Sequence, residues 1–365
     1  MAEPDRERRS RVETLVRALC SPACAGRAPG TPEGIAAREL VVQAMIAAGV
    51  APGGSDGYLQ VVPRCGANVL GELPGSGSLA ERTIVIGAHY DHLGKVGGGQ
   101  AFWGADDNAA AVAILVETGR ALRAMAAGLV DGAAGRRVIL AAYDGEEPPH
   151  FMQGTMGSMY HVAHLGAPLA SIDMMVCMDL CGHALGPEGL PREVRDSLLV
   201  LGAELSAGTA ALVERAARPG GVVPRRADLD LVPPLSDYYP FRAAGVPVLF
   251  LTCGRWQHYH QITDTPDRLD YAKIVATVDY LVALVQLLRT RPEAPVQLQT
   301  HARDDAGTIA SLMAVTTLLG PYSPVAARAM TQLSALASLA ASGPLAPARR
   351  GELARMVQVL EGALA

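Results

Sequence analysis

Thr83-Ile84-Val85-Ile86-Gly87-Ala88-His89-Tyr90-Asp91-His92 decides the fold. Its first six residues form a short apolar run, which fits a strand buried on both faces, and its last four suddenly turn polar. Further runs of the same kind occur at Arg137 to Tyr143, Ile172 to Leu180, Leu198 to Leu201 and Pro247 to Thr252. Helical apolar patterns lie between them at Asn108 to Met125, Leu205 to Ala217 and Tyr271 to Leu288, and a helix over residues 35 to 49 precedes the first strand. Alternation of strand and helix predicts a layered α/β domain, with a mixed, mostly parallel central sheet flanked by helices.

Residues 291 to 299 read as a linker between a main domain of residues 1–290 and an appendage of residues 300–365. The appendage is rich in Ala, Leu and Met, and its periodicity predicts about three helices whose apolar stripes need a partner, either the main domain or another copy of the chain.

The chain has 365 residues, half of them hydrophobic and 18% charged, the composition of a globular protein. A net charge of −5 offers no field for a phosphate backbone, so nucleic acid is not an expected partner. The opening MAEPDRERRS lacks the apolar core of a secretory signal, and no membrane span is read from the sequence, so a cytoplasmic location is expected. Six cysteines in a chain of this length read as reduced core thiols.

Chemistry concentrates where the strands end, which is where open α/β sheets place their sites. After the first run, His89 offers a metal ligand and Asp91 an acceptor for its other ring proton. In Gly104-Ala105-Asp106-Asp107-Asn108 a helix cap explains one acid but not two; a carboxylate there can bridge two cations, and Gly104 and Ala105 allow close backbone approach. Glu146 and Glu147 repel each other if buried together, a conflict that a cation bound by Glu147 resolves while Glu146 stays free to accept a proton. Asp179 ends another apolar run, and His260 stands in His258-Tyr259-His260-Gln261-Ile262-Thr263-Asp264-Thr265-Pro266-Asp267, with His258 as a competing ligand. Histidine and carboxylate together suit zinc.

Taken in order, AHYDH, GADDN, GEE, MDLCG and YHQITDTPD resemble the co-catalytic zinc aminopeptidases of metallopeptidase family twenty-eight, which also holds glutamate carboxypeptidases and glutaminyl cyclases. The resemblance runs from GRAPGTPEG at residue 26 to about residue 290. It implies two zinc ions, one on His89 and Asp179, the other on Glu147 and His260, bridged by Asp107, with Asp91 orienting His89 and Glu146 as general base. It further implies a cis bond between Asp107 and Asn108, and a peptide substrate cut by an activated water, with Tyr259 placed to donate to the oxyanion. An aminopeptidase is the first expectation. The alternatives are a glutaminyl cyclase, a carboxypeptidase that would use Arg255 or Arg242, and a receptor-like module without catalysis. The sequence departs from the family at Tyr238, where a histidine often stands, and in the long loop Pro148 to Met156, which carries His150 and Phe151. Trp256 is expected either to shape the pocket or to pack.

Overall fold

The computed structural model describes residues 3–126 and 134–364. Among these residues, nine strands form one sheet: β1 (Ala51–Pro52), β2 (Leu59–Val62), β3 (Gly66–Leu73), β4 (Thr83–His89), β5 (Arg137–Tyr143), β6 (Ile172–Met178), β7 (Ser197–Leu201), β8 (Val223–Ala227) and β9 (Val248–Thr252). The order is β1-β3-β5-β4-β6-β9-β7-β8, with β2 also paired to β3. Its centre, β5-β4-β6-β9, is parallel throughout, while β3 and the β7-β8 pair join it in antiparallel fashion. All four central strands therefore end at the same edge, and His89 pairs in register with Tyr143 there.

Every residue of β4, β6 and β9 is buried, which explains why these strands read as unbroken apolar runs. Ile84 and Ile86 join one core, against the helices Glu3–Leu19, Pro32–Ala47, Ala110–Ala126 and Tyr271–Thr290. Val85 joins the other, with Phe241 and Phe250. The helix Tyr271–Thr290 has the length and hydropathy to cross a membrane, but 61% of its most apolar window is buried inside the fold. All six cysteines are buried and unpaired.

Several expected boundaries move. The helix after β4 begins at Ala110, because residues 105–109 form a wider turn in which Asp107 and Asn108 leave helical geometry. The helix expected from Leu205 starts at Thr209, behind a short turn at Ala203–Leu205. Strand β6 stops at Met178, two residues early, so that Leu180 adopts a positive φ of 54°. Strands β1, β2, β3 and β8 had no counterpart among the expected runs; β3 carries two glycines, and β8 (Val-Pro-Arg-Arg-Ala) is half-buried along its whole length.

The segment 291–299 is strapped to the sheet domain rather than spanning open solvent. Arg291 donates to Thr209 Oγ1 at 3.1 Å, the Val296 amide donates to Asp173 Oδ1 at 2.9 Å, and the Gln299 amide donates to the Leu205 carbonyl at 2.8 Å. Beyond it, the helices Asp305–Leu319, Pro324–Ala340 and Pro347–Leu364 pack on the main domain through Leu231 in one cluster and through Leu185 and Val194 in another. Arg350 donates to Asp228 at 3.1 Å and ion-pairs with Asp305, closing this face.

Asp173 holds the strap. It is fully buried and accepts from Arg82, from Arg136 Nε at 2.6 Å and from the Val296 amide. Burial pushes its carboxyl up, but Arg82, the Val296 amide and Arg136 outweigh that and hold it below the ordinary carboxylate range. The substitution Asp173→Asn strands buried guanidinium charge and should cost about 3–5 kcal/mol at neutral pH. A depressed folded-state pKa contributes stability above the unfolded value, near 3.9, and loses it as pH falls through the folded value. Chemical denaturation of both proteins should therefore show a gap at pH 7 that narrows below about pH 4; a gap that is absent at pH 7 would remove the anchoring role.

Candidate metal centre

The last residue of β4, His89, meets Glu146, Glu147, Asp179 and His260 from the loops following β5, β6 and β9, and the turn 105–109 inserts Asp107 among them. His89 Nε2 lies 3.3 Å from Asp107 Oδ1 and 3.6 Å from Asp179 Oδ1. His260 Nε2 lies 3.2 Å from Asp107 Oδ2 and 3.3 Å from Glu147 Oε2. A tetrahedral zinc with ligands about 2.0–2.1 Å away separates those ligands by roughly 3.3 Å, so both sets have the spacing such an ion requires. Asp107 belongs to both, one oxygen to each. His89 Nε2, Asp107 Oδ2 and Asp179 Oδ1 are buried without a hydrogen-bond partner, a costly state for polar atoms that a cation would relieve.

Electrostatics agree with the geometry. Burial pushes the Glu146 carboxyl well above its ordinary range; Asp179, Glu147 and Asp237 add to the shift while His89 opposes it. Burial alone would depress the His89 imidazole, but Glu146, Asp107 and Asp179 together raise it well above its usual value. The site is thus an excess of buried carboxylate converging on three histidines, His89, His92 and His260.

The scaffold around these groups is mostly backbone held by charge. The Asp91 carboxylate accepts from the amides of Glu146 and Glu147, each at 3.1 Å, and stands 3.6 Å from His89 Nδ1, whose nearer neighbour is the Asp91 carbonyl at 3.3 Å. Asp91 therefore fixes the two glutamates as directly as it faces His89. Asp264 does the same for the amides of Asp106 and Asp107, at 3.0 and 3.1 Å. Asp106 accepts from the amides of Gly182 and His183 and from His183 Nδ1 at 2.7 Å, tying the loop after Asp179 to the bridging segment. The Asp107-Asn108 bond is cis. Gly104 has φ 55°, and a Cβ on it would fall 2.2 Å from the Asp107 carbonyl and 2.6 Å from the His92 ring, so this position requires glycine.

Two residues escaped the sequence reading. Arg27, in GRAPG, is completely buried, and its guanidinium donates to the carbonyls of Tyr90, Trp103 and Gly104 at 2.6 Å and of Asp107 at 3.1 Å. It stitches the end of β4 to the bridging turn. Its signal was an arginine inside an otherwise small-residue loop. His92, the last residue of AHYDH, places Nδ1 2.8 Å from Glu147 Oε1 and 3.9 Å from Asp107 Oδ2. The shorter distance is that of a hydrogen bond to the Glu147 oxygen that faces away from His260, and His92, Asp107 and Glu147 also stand close enough together to hold a cation.

Of the other residues singled out, Tyr259 stacks on His260 with ring centroids 3.9 Å apart and borders a cavity beside Asp179. His258 hydrogen-bonds Thr263 at 2.9 Å. Trp256 stacks on His183 at 4.6 Å, and His150 pairs with Thr155 within its own loop. Arg255 is paired with Glu361 at 3.0 Å and Arg242 with Asp230. Tyr238 is buried, its hydroxyl donating to the Pro233 carbonyl at 3.2 Å.

Known proteins resemble the chain in sequence and in fold. Residues 68–285 match the model of peptidase family M28. An uncharacterized protein of Escherichia coli K12, YfbL, is 29% identical over 229 residues, a match covering 55% of this chain and 66% of that protein, so the chain spans just under two thirds of its length. Among solved structures, LapB from Legionella pneumophila superimposes with a TM-score of 0.57 at 16% identity, over 78% of this chain and 72% of that one. A Zn-dependent exopeptidase from Parabacteroides distasonis gives 0.57 at 14%, over 76% and 97%, and a glutaminyl cyclase from an Acidobacteriales bacterium 0.56 at 21%, over 77% and 94%. At these identities the structural likeness is one of fold.

Proposed function

The chain belongs to peptidase family M28, and from that premise we propose that it is a zinc exopeptidase that removes residues from the free amino end of peptides. What carries the reading is the pair of ligand sets that share Asp107, with Glu146 beside them, 3.8 Å from His89 Nε2. His89, Asp107 and Asp179 would hold one zinc ion, and Asp107, Glu147 and His260 the second. Bound there, zinc supplies Lewis acidity toward the scissile carbonyl and toward water. Glu146, which stands 3.8 Å from His89 Nε2 and belongs to neither ligand set, takes the proton of the attacking water and passes it to the leaving amine. Asp91 keeps Glu146 and Glu147 in place through their amides. The surplus of carboxylate attracts a protonated terminal amine, and Tyr259, stacked beside His260, is placed to donate to the developing oxyanion. Arg255 and Arg242, the cations expected for a carboxypeptidase, are engaged by Glu361 and Asp230, which favours the amino-terminal reading.

The test is metal analysis combined with a peptide panel. The expected result is about two zinc per chain, with cleavage of peptides bearing a free amino terminus and none of N-acetylated counterparts. Cleavage confined to blocked peptides, or cyclisation of an amino-terminal glutamine in place of hydrolysis, would replace this reading with one of its relatives.

A further inference from the structure

A polar cavity of about 470 Å³ lies between residues 183–195 and residues 256–272. Neither Glu146 nor any member of the two ligand sets lines it. Its volume falls in the range of ligand pockets, about 300–1,000 Å³. Three arginines, Arg9, Arg195 and Arg268, reach its wall, and among the described residues none of them has an acidic partner. Of its three acids, Asp267 is taken by Arg17 at 2.8 Å and Asp270 by Arg192 at 3.2 Å, which leaves Glu188. Lys273 is buried, and its ammonium donates to the carbonyls of two lining residues, His183 and Arg195, each at 3.0 Å; neither acceptor carries a countercharge. The local balance is therefore positive in a chain whose net charge is −5. Arg195 Nε is also buried without a hydrogen-bond partner, and a guanidinium half withdrawn from water with no countercharge is a costly state that an anion relieves.

We propose that this cavity is an effector site for a small oxyanion, a carboxylate or phosphate group on a small organic molecule, and that its occupancy slows the loss of zinc from the metal centre. The proposal goes beyond the exopeptidase reading and does not depend on which peptides are cut. Guanidinium groups grip both kinds of oxyanion through paired, charge-assisted hydrogen bonds, which is the recognition that the free arginines offer. Their positions carry the effect to the metals. Arg195 ends the short helix Arg192–Arg195, in the stretch that leaves Asp179, whereas Arg268 ends the turn Pro266–Arg268, in the stretch that follows His260. Each stretch already braces the bridging segment: His183 Nδ1 pairs with Asp106 Oδ2 at 2.7 Å, and Asp264 accepts from the amides of Asp106 and Asp107. Trp256, stacked on His183, joins the two stretches at one point. An anion held by Arg195 and Arg268 together joins them at a second, so the loops that frame the ligands open less often.

The experiment titrates zinc-loaded protein by calorimetry with sulfate, inorganic phosphate and succinate at constant ionic strength, and times zinc release to excess chelator with and without each anion. Arg195 is half-buried and Arg268 exposed, so Arg195→Gln and Arg268→Gln should fold, and two positions guard against the loss of either protein. Saturable binding of at least one anion is expected, weaker by about tenfold in each variant, as befits a lost charge-assisted hydrogen bond. Zinc release from the wild type should slow about fivefold with the anion bound and should ignore it in both variants. A preference for succinate would identify a carboxylate effector, and a preference for phosphate or sulfate a phosphate ester. No saturable binding by any of the three overturns the site. Binding that both variants retain also overturns it, because the anion then sits elsewhere, the zinc ions included. Binding that the variants lose, with zinc release unchanged by the anion, would mean an adventitious ion only and would remove the effector role.

Discussion

Glu146→Gln should leave a protein that folds and takes up its full complement of zinc, yet cleaves about 10²–10⁴-fold more slowly, the range seen when a positioned general base is removed. Glutamine keeps the shape and the backbone amide that Asp91 accepts from, so the loop carrying Glu147 should not move. What disappears is the proton acceptor alone. The loss should fall on kcat, with KM nearly unchanged, because substrate is gripped by other groups and the proton moves only on the way to the transition state. Metal analysis of the variant is the essential companion measurement. A protein with normal zinc and undiminished kcat would show that some other group takes the proton, and Asp179 would be the first to examine, since it too borders His89.

Asp107→Asn should do something different and larger. Each carboxylate oxygen of Asp107 faces a different histidine, and the amide of asparagine offers one oxygen and one NH₂ group that cannot ligate a cation in its place. Zinc content should drop from about two per chain to one or fewer, and activity should fall below that of Glu146→Gln. Excess zinc should not restore it. Without metal the variant should be less stable than the wild type, because burial pushes the Asp107 carboxyl up but His260, His89 and His92 outweigh it and hold it well below its ordinary range. Melting with and without zinc therefore separates the two contributions: metal should raise the wild-type midpoint and leave the variant nearly where it was. A variant that still binds two ions would remove Asp107 from the bridging role.

The central strands were legible because burial on both faces leaves an unbroken apolar run, and Arg137–Tyr143 lies where its residues predict. Edge strands were not. Val223–Ala227 presents proline and two arginines at partly exposed positions, and what makes it a strand is its neighbour Ser197–Leu201, which is a tertiary fact. The ligand candidates could be named because carboxylates and histidines at strand ends have few other uses in such number. Arg27 could not, since its value lies in four carbonyls scattered from Tyr90 to Asp107, none of which leaves a trace in side-chain type. For the same reason nothing in the sequence gives Asp264 a role and Asp106 reads as at most a helix cap, although each secures a stretch of backbone at the metal centre.

Arg27 stands 80 positions before the Asp107 carbonyl it donates to, and its other bonds reach Tyr90, Trp103 and Gly104. The bridging turn therefore takes its shape only once the entry loop has docked on it. A chain without that loop would keep every ligand and lose the place where they meet.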